Sequence, residues 1–183
     1  LASVISVSPV SGQKLMERLE PGVALLSYYI LKEELFCWVV RSDGVTLFRT
    51  PVARAALEQT IMDYRRMTQN LEPLIIQSRR LFSWLLAPVI SAIEGVRIVG
   101  IIPHGPLHYL SFATLSDGER FLVERFPLFY LPSAGILDYT MKKRKSEKRK
   151  NPMALAVGNP DLGSRILDLP FAEHEVNAIK WNF

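Results

Sequence analysis

Apolar and polar positions along the chain change rhythm several times, and each change marks an element. Ser11 to Leu19 reads as a short helix, stopped by Pro21-Gly22. Val23 to Leu31 is rich in β-branched and aromatic residues and predicts a strand. Glu33-Glu34 marks a turn, Leu35 to Arg41 a second strand, Ser42-Asp43-Gly44 a tight turn and Val45 to Thr50 a third strand. Connections this short imply an antiparallel meander. The period then becomes helical. Leu57, Ile61, Tyr64, Met67 and Leu71 share one face. After Glu72-Pro73, a second face carries Leu74, Ser78, Leu81, Leu85, Val89 and Ile93, with a kink expected near Pro88.

Gly95 closes the helical pair. Val96 to Ile102 is a nearly unbroken apolar run, the pattern of a strand covered on both faces. A loop follows from Pro103 to Phe112. Arg120 to Phe126 and Leu128 to Leu131 read as short strands, and Ser133 as the cap of a helix reaching Thr140. Met153 to Val157 is another buried-type strand, Gly158-Asn159-Pro160 a turn, and Phe171 to Ile179 a helix. The expected architecture is α/β: an opening meander (1–50), a helical pair (51–95) and the start of a mainly parallel sheet (96–183). There is no internal repeat.

Charge alters this picture at one place. Of 22 basic residues, seven fall in Lys142 to Lys150, where a single Glu leaves a local net of +6. Outside that run, 15 basic and 17 acidic residues give −2, so the basic balance does not describe a nucleic-acid-binding face. Blocks of like charge repel and stay extended, so residues 142–150 read as a solvated linker, with a polyanion or nuclear-signal role as the alternative. The longest uncharged stretch, Ile98 to Ser116, contains Pro103, Gly105 and Pro106 and makes a poor bilayer helix. The lone cysteine, Cys37, cannot form an internal disulfide and fits a reducing, cytoplasmic setting.

Several blocks, taken in order, resemble the CHAT domain, a caspase- and separase-like module usually found after tetratricopeptide repeats. Pro103, Gly105, Leu107, His108, Phe112 and Leu115 match its Pro-x-Gly-x-Leu-His and Phe-x-x-Leu pattern. Leu131, Pro132 and Ser133 match a Leu-Pro-Ser block, and Val157 to Pro160 a strand ending in Gly-Asn-Pro. Leu169, Pro170, Ala172, Glu175 and Val176 match a Leu-Pro-x-Ala-x-x-Glu-Val block. Ser111 departs from the proline common before the Phe. The resemblance implies a caspase-like sheet and a cysteine-peptidase parent. It also implies that the catalytic His and Cys come after the last block. On that reading the chain is an incomplete domain, inactive alone, with the tetratricopeptide repeats of its own parent as partners and an exposed sheet edge open to self-association. The alternative is a non-catalytic interaction scaffold.

No residue is therefore assigned a catalytic, cofactor or metal role. His104-Gly105 imitates a caspase His-Gly, but Cys37 precedes every histidine and sits between Phe36 and Trp38 as a buried thiol would. His104 reads as a turn residue, His108 as a loop lock through hydrogen bonding, and His174 as solvated beside Glu173 and Glu175. Asp161 and Asp168 flank a turn without the logic of a paired-carboxylate site, and the three histidines lack zinc spacing. A solvated linker makes a direct prediction: deleting residues 142–150 should leave the thermal melting temperature within about 2 °C, because surface segments without packing contribute little to stability. A large drop in a melting curve would show that the run packs.

Overall fold

A computed structural model describes residues 11–137, 158 and 170–179 of the chain. Helix α1 (Gly12–Met16) starts where the Ser11 hydroxyl accepts the Lys14 amide at 3.3 Å. The three meander strands follow as β1 (Val23–Ile30), β2 (Glu34–Arg41) and β3 (Gly44–Pro51). Helices α2 (Arg54–Gln69) and α3 (Ile75–Leu85) form the helical pair. Then come β4 (Ile98–Ile102), the short helix α4 (Leu122–Arg125) and β5 (Leu128–Tyr130).

The meander and the later strands form one mixed sheet, in the order β3-β2-β1-β4-β5. Pairing is antiparallel on the meander side and parallel for β1–β4 and β4–β5. β1 thus lies between β2 and β4, placing Tyr28 opposite Cys37 on one flank and Leu25 beside Gly100 on the other. This position explains its composition. Leu25 and Leu26 point to opposite faces, and each is fully buried in a different core. On one face, Leu26, Tyr28, Val99 and Ile101 pack with Leu57 and Ile61 of α2 and Leu81 and Leu85 of α3. On the other, Leu25, Val40 and Ile102 meet Leu15 and Leu19 of the α1 region and Leu131 and Leu137.

Four local expectations change. Arg120 to Phe126 is not a strand: Leu122 and Phe126 are both buried at helical spacing, and the Glu124 carboxylate reaches back to accept the Phe121 amide at 2.6 Å. Leu71 does not continue the buried face of α2. It lies beyond the helix in a left-handed conformation, φ +57°, and is 93 % exposed. α3 ends at Leu85, ahead of Pro88, rather than kinking there, as the steric bias on residues before proline favours. The Pro103–Phe112 loop is more ordered than a bare loop, being built of 3-10 turns at Gly105–Tyr109 and Phe112–Thr114.

A helical turn opens at 134–137 behind Ser133. Helix α5 (Pro170–Ile179), which the sequence places at Phe171 to Ile179, lies in a second unit, Lys143–Phe183. The expected strand at Met153 to Val157 and the run Lys142 to Lys150 fall outside the described residues, as do Asp161 and Asp168.

Gly100 sits where sheet packing leaves no space: a Cβ there would run into the Phe129 ring and the Leu25 side chain. Gly100→Ala is expected to cost about 1–3 kcal/mol through overpacking, read as a lower urea midpoint with an unchanged slope.

Candidate functional site

In open α/β sheets, ligands collect outside the carboxyl ends of parallel strands, so the ends of β1 and β4 are the first place to look. The chain leaves β4 through Pro103-His104-Gly105, and Gly105 turns with φ +55°. Leu107, Phe112 and Leu115 then plunge into the main core, each fully buried. The Phe112 amide donates to the Tyr130 hydroxyl at 3.1 Å, which fastens the loop to β5. Most of the residues that carry the Pro-x-Gly-x-Leu-His and Phe-x-x-Leu pattern are therefore packing and turn residues.

His104 is the chemically interesting member. Its Nδ1 accepts the Ile30 amide at 3.2 Å, and its ring lies 4.3 Å from that of Tyr29. Partial burial holds its pKa below the ordinary histidine value, helped by the nearby positive charge of Arg54 and by His108. A neutral imidazole that accepts at Nδ1 carries its proton on Nε2. Toward solvent, His104 is a hydrogen-bond donor and not a base. His108, expected to lock the loop, is exposed and makes no side-chain hydrogen bond among the described residues. The lock is His104, tied to the end of β1, and the sequence gives no sign of this because Ile30 lies 74 positions away.

Cys37 stands apart from this histidine. It shares a face with Tyr28, whereas His104 stacks on Tyr29, whose side chain points to the other face. The thiol is 4 % exposed, and burial pushes its pKa up to about 12. Tyr28 spends its hydroxyl proton on the Leu85 carbonyl at 2.9 Å. No thiolate–imidazole pair exists here. Among the described residues no cluster of His, Cys, Asp or Glu could hold a metal, and no helix is long and apolar enough to cross a membrane. His174 is exposed on α5, as expected.

A second feature has no counterpart in the sequence pattern. A groove of about 400 Å³ opens between α2, α3 and the turn 114–121, with Tyr64, Leu74, Ile75, Thr114 and Phe121 in its wall. Hydroxyls organise its floor. Thr114 Oγ1 donates to the Ser111 carbonyl at 2.9 Å, so Tyr64 is the donor in their 2.5 Å contact. Ser78 Oγ donates to the Thr114 carbonyl at 3.0 Å and accepts the Ser116 amide at 2.9 Å. Asp117 closes the turn by accepting the Glu119 and Arg120 amides, both at 3.0 Å, and pairs with Arg125. Those two amide bonds hold its carboxyl below the usual range. The sequence signal for this turn is the Ser116-Asp117-Gly118 triplet; Ser78, on a helix face among leucines, carried none.

This is a mixed-sheet domain organised around a loop of recognisable pattern. The sequence model of the CHAT domain family matches residues 76–183, more than half of the chain, and the chain belongs to that family. No curated protein matches it. The match begins in α3, so β1, β2 and β3 lie ahead of it, yet β1 pairs directly with β4 inside it.

The His104 bond predicts a pH response. A histidine with a lowered folded pKa stabilises the fold fully above the unfolded value, roughly 6.5, and that stability is lost as pH falls below it. Urea midpoints should drop between pH 7.5 and 5.5. His104→Ala should start lower at pH 7.5, having lost the Ile30 bond, and should fall less over the same interval. Equal pH dependence in both proteins would remove His104 as the cause.

Proposed function

We propose that this chain forms the non-catalytic front portion of a CHAT module of the caspase-like cysteine-peptidase type, with nucleophile and base supplied by residues outside it. Attack on a peptide carbonyl needs a thiolate beside an imidazole that can take or give a proton, and donors for the developing oxyanion. The observation that carries the reading is the state of Cys37. Burial pushes its pKa up to about 12, so it stays a neutral thiol at pH 7, and His104, beside Tyr29 on the other face, has its Nδ1 occupied. What the chain offers instead is a rigid sheet and a firmly anchored loop on which catalytic strands can be arranged.

A second reading, an interaction scaffold, is favoured by the groove beside α3. Ile75 and Phe121 at its mouth are 59 % and 48 % exposed, and large apolar side chains at a concave site suit a protein partner. The partner class implied by the family resemblance is a tetratricopeptide-repeat array of the same parent chain.

The purified chain should not cleave fluorogenic peptide substrates. Native Cys37 should also react with a small disulfide reagent at least ~100-fold more slowly than in urea, since both burial and a raised pKa suppress the thiolate. Cleavage that disappears in Cys37→Ala, or fast labelling of the native thiol, would overturn the peptidase-scaffold reading. The interaction reading is checked separately, by binding of the repeat array to wild type and to Phe121→Asp. Equal affinity for both would remove the groove as the docking site.

A further inference from the structure

The edge of the sheet at β3 carries an inference of its own. Arg41 and Gly44 are opposite each other across the two-residue turn Ser42-Asp43. A closing pair of this kind bonds through its own amides and carbonyls, and the pattern then alternates along the ladder. The same phase continues past the strand, where the Val52 amide donates to the Glu33 carbonyl at 3.1 Å. Gly44, Thr46, Phe48 and Thr50 therefore spend their backbone groups on β2. Val45, Leu47, Arg49 and Pro51 aim theirs outward, where no strand pairs among the described residues. Pro51 takes a position where the missing N–H costs the sheet nothing.

We propose that this edge pairs antiparallel with β3 of a second copy of the chain, about a two-fold axis through Leu47. Three observations converge on a second copy. First, the hydrogen-bond phase is self-complementary. With Leu47 opposite its own mate, Val45 of each chain faces Arg49 of the other, and every facing residue is one whose backbone groups point outward. Three narrow pairs result, each exchanging two backbone bonds. Second, the charges agree. Arg49 faces Val45, with Asp43 of the second copy, already paired with its own Arg41 at 3.2 Å, as an exposed acidic diagonal neighbour; shifting the register to bring the arginines together would oppose like charges. Third, side chains on one face join across the axis. Val45 and Leu47 are 40 % and 38 % exposed, and in register they share a face with Trp38 and Phe36 of β2. Arg49 already lies over the Phe36 ring at 5.4 Å and frames that strip. The opposite edge is a poorer candidate, because β5 has only three residues.

The interface is small, so the dimer is concentration-dependent and weak, with a dissociation constant on the order of 10–100 µM. Two measurements on the whole chain test it. In sedimentation across a concentration series, Leu47→Lys places a charge against its own mate and should weaken association at least ~10-fold. Met62→Lys adds the same charge on the exposed face of α2 and should leave association unchanged. In hydrogen exchange, the amides of Val45, Leu47 and Arg49 should exchange quickly in dilute protein and become protected as concentration rises. Thr46 and Phe48 should be protected throughout. A monomer at millimolar concentration, or association with those three amides unprotected, would overturn the proposal. So would protection of the three amides that does not depend on concentration, which would mean that the chain covers its own edge.

Discussion

The parallel contact between β1 and β4 is the constraint on which the rest of the structure depends. Five consecutive residue pairs, from Val23–Ile98 to Ser27–Ile102, join residues 75 positions apart. The chain between them must return to the start of the sheet, and parallel strands allow that only through a long crossover. β2, β3, α2 and α3 all lie within it. The helices bury Leu57, Ile61, Leu81 and Leu85 against one face and so supply that crossover with its core. Because contacts so distant in sequence form only after loop closure, this pairing is also where folding should be slowest to commit.

The same contact joins what sequence matching separates. The family match starts in α3, after the whole meander has passed. Yet β4, the first strand of the matched region, completes its pairing only by leaning on β1. The meander therefore supplies three of the five strands of the sheet on which the family's loop pattern is mounted, and Leu107, Phe112 and Leu115 are buried in a core that Tyr28 and Cys37 help to build.

How much could be read from sequence follows the range of the interactions. Strands β1 to β3 were legible because β-rich runs are cut by short polar turns, and β4 because a strand covered on both faces has no polar side to show. α2 and α3 were legible over the residues that touch the sheet and misread where contact ends, as at Leu71. The Arg120–Phe126 segment failed because one capping carboxylate, Glu124, outweighed its strand-like composition. The loop lock falls to His104 and not to His108 for a related reason: motif position names His108, but the Ile30 amide that selects a histidine comes from β1. The groove was invisible, since Tyr64, Ser78 and Thr114 meet only in three dimensions. The burial of Cys37 was readable, because its neighbours Phe36 and Trp38 already announced an apolar strand.

The hydroxyl floor of that groove gives it an unexpected character. Ser78 and Thr114 have each given their one proton to a carbonyl oxygen, and each already receives a bond from a neighbour. A surface that looks polar by composition thus has few donors left for a visitor, and its walls of Leu74, Ile75 and Phe121 add none. Water entering it would give up liquid-phase bonds for little in return. To a guest molecule the groove behaves as greasy ground, selecting by shape and by its readiness to leave water.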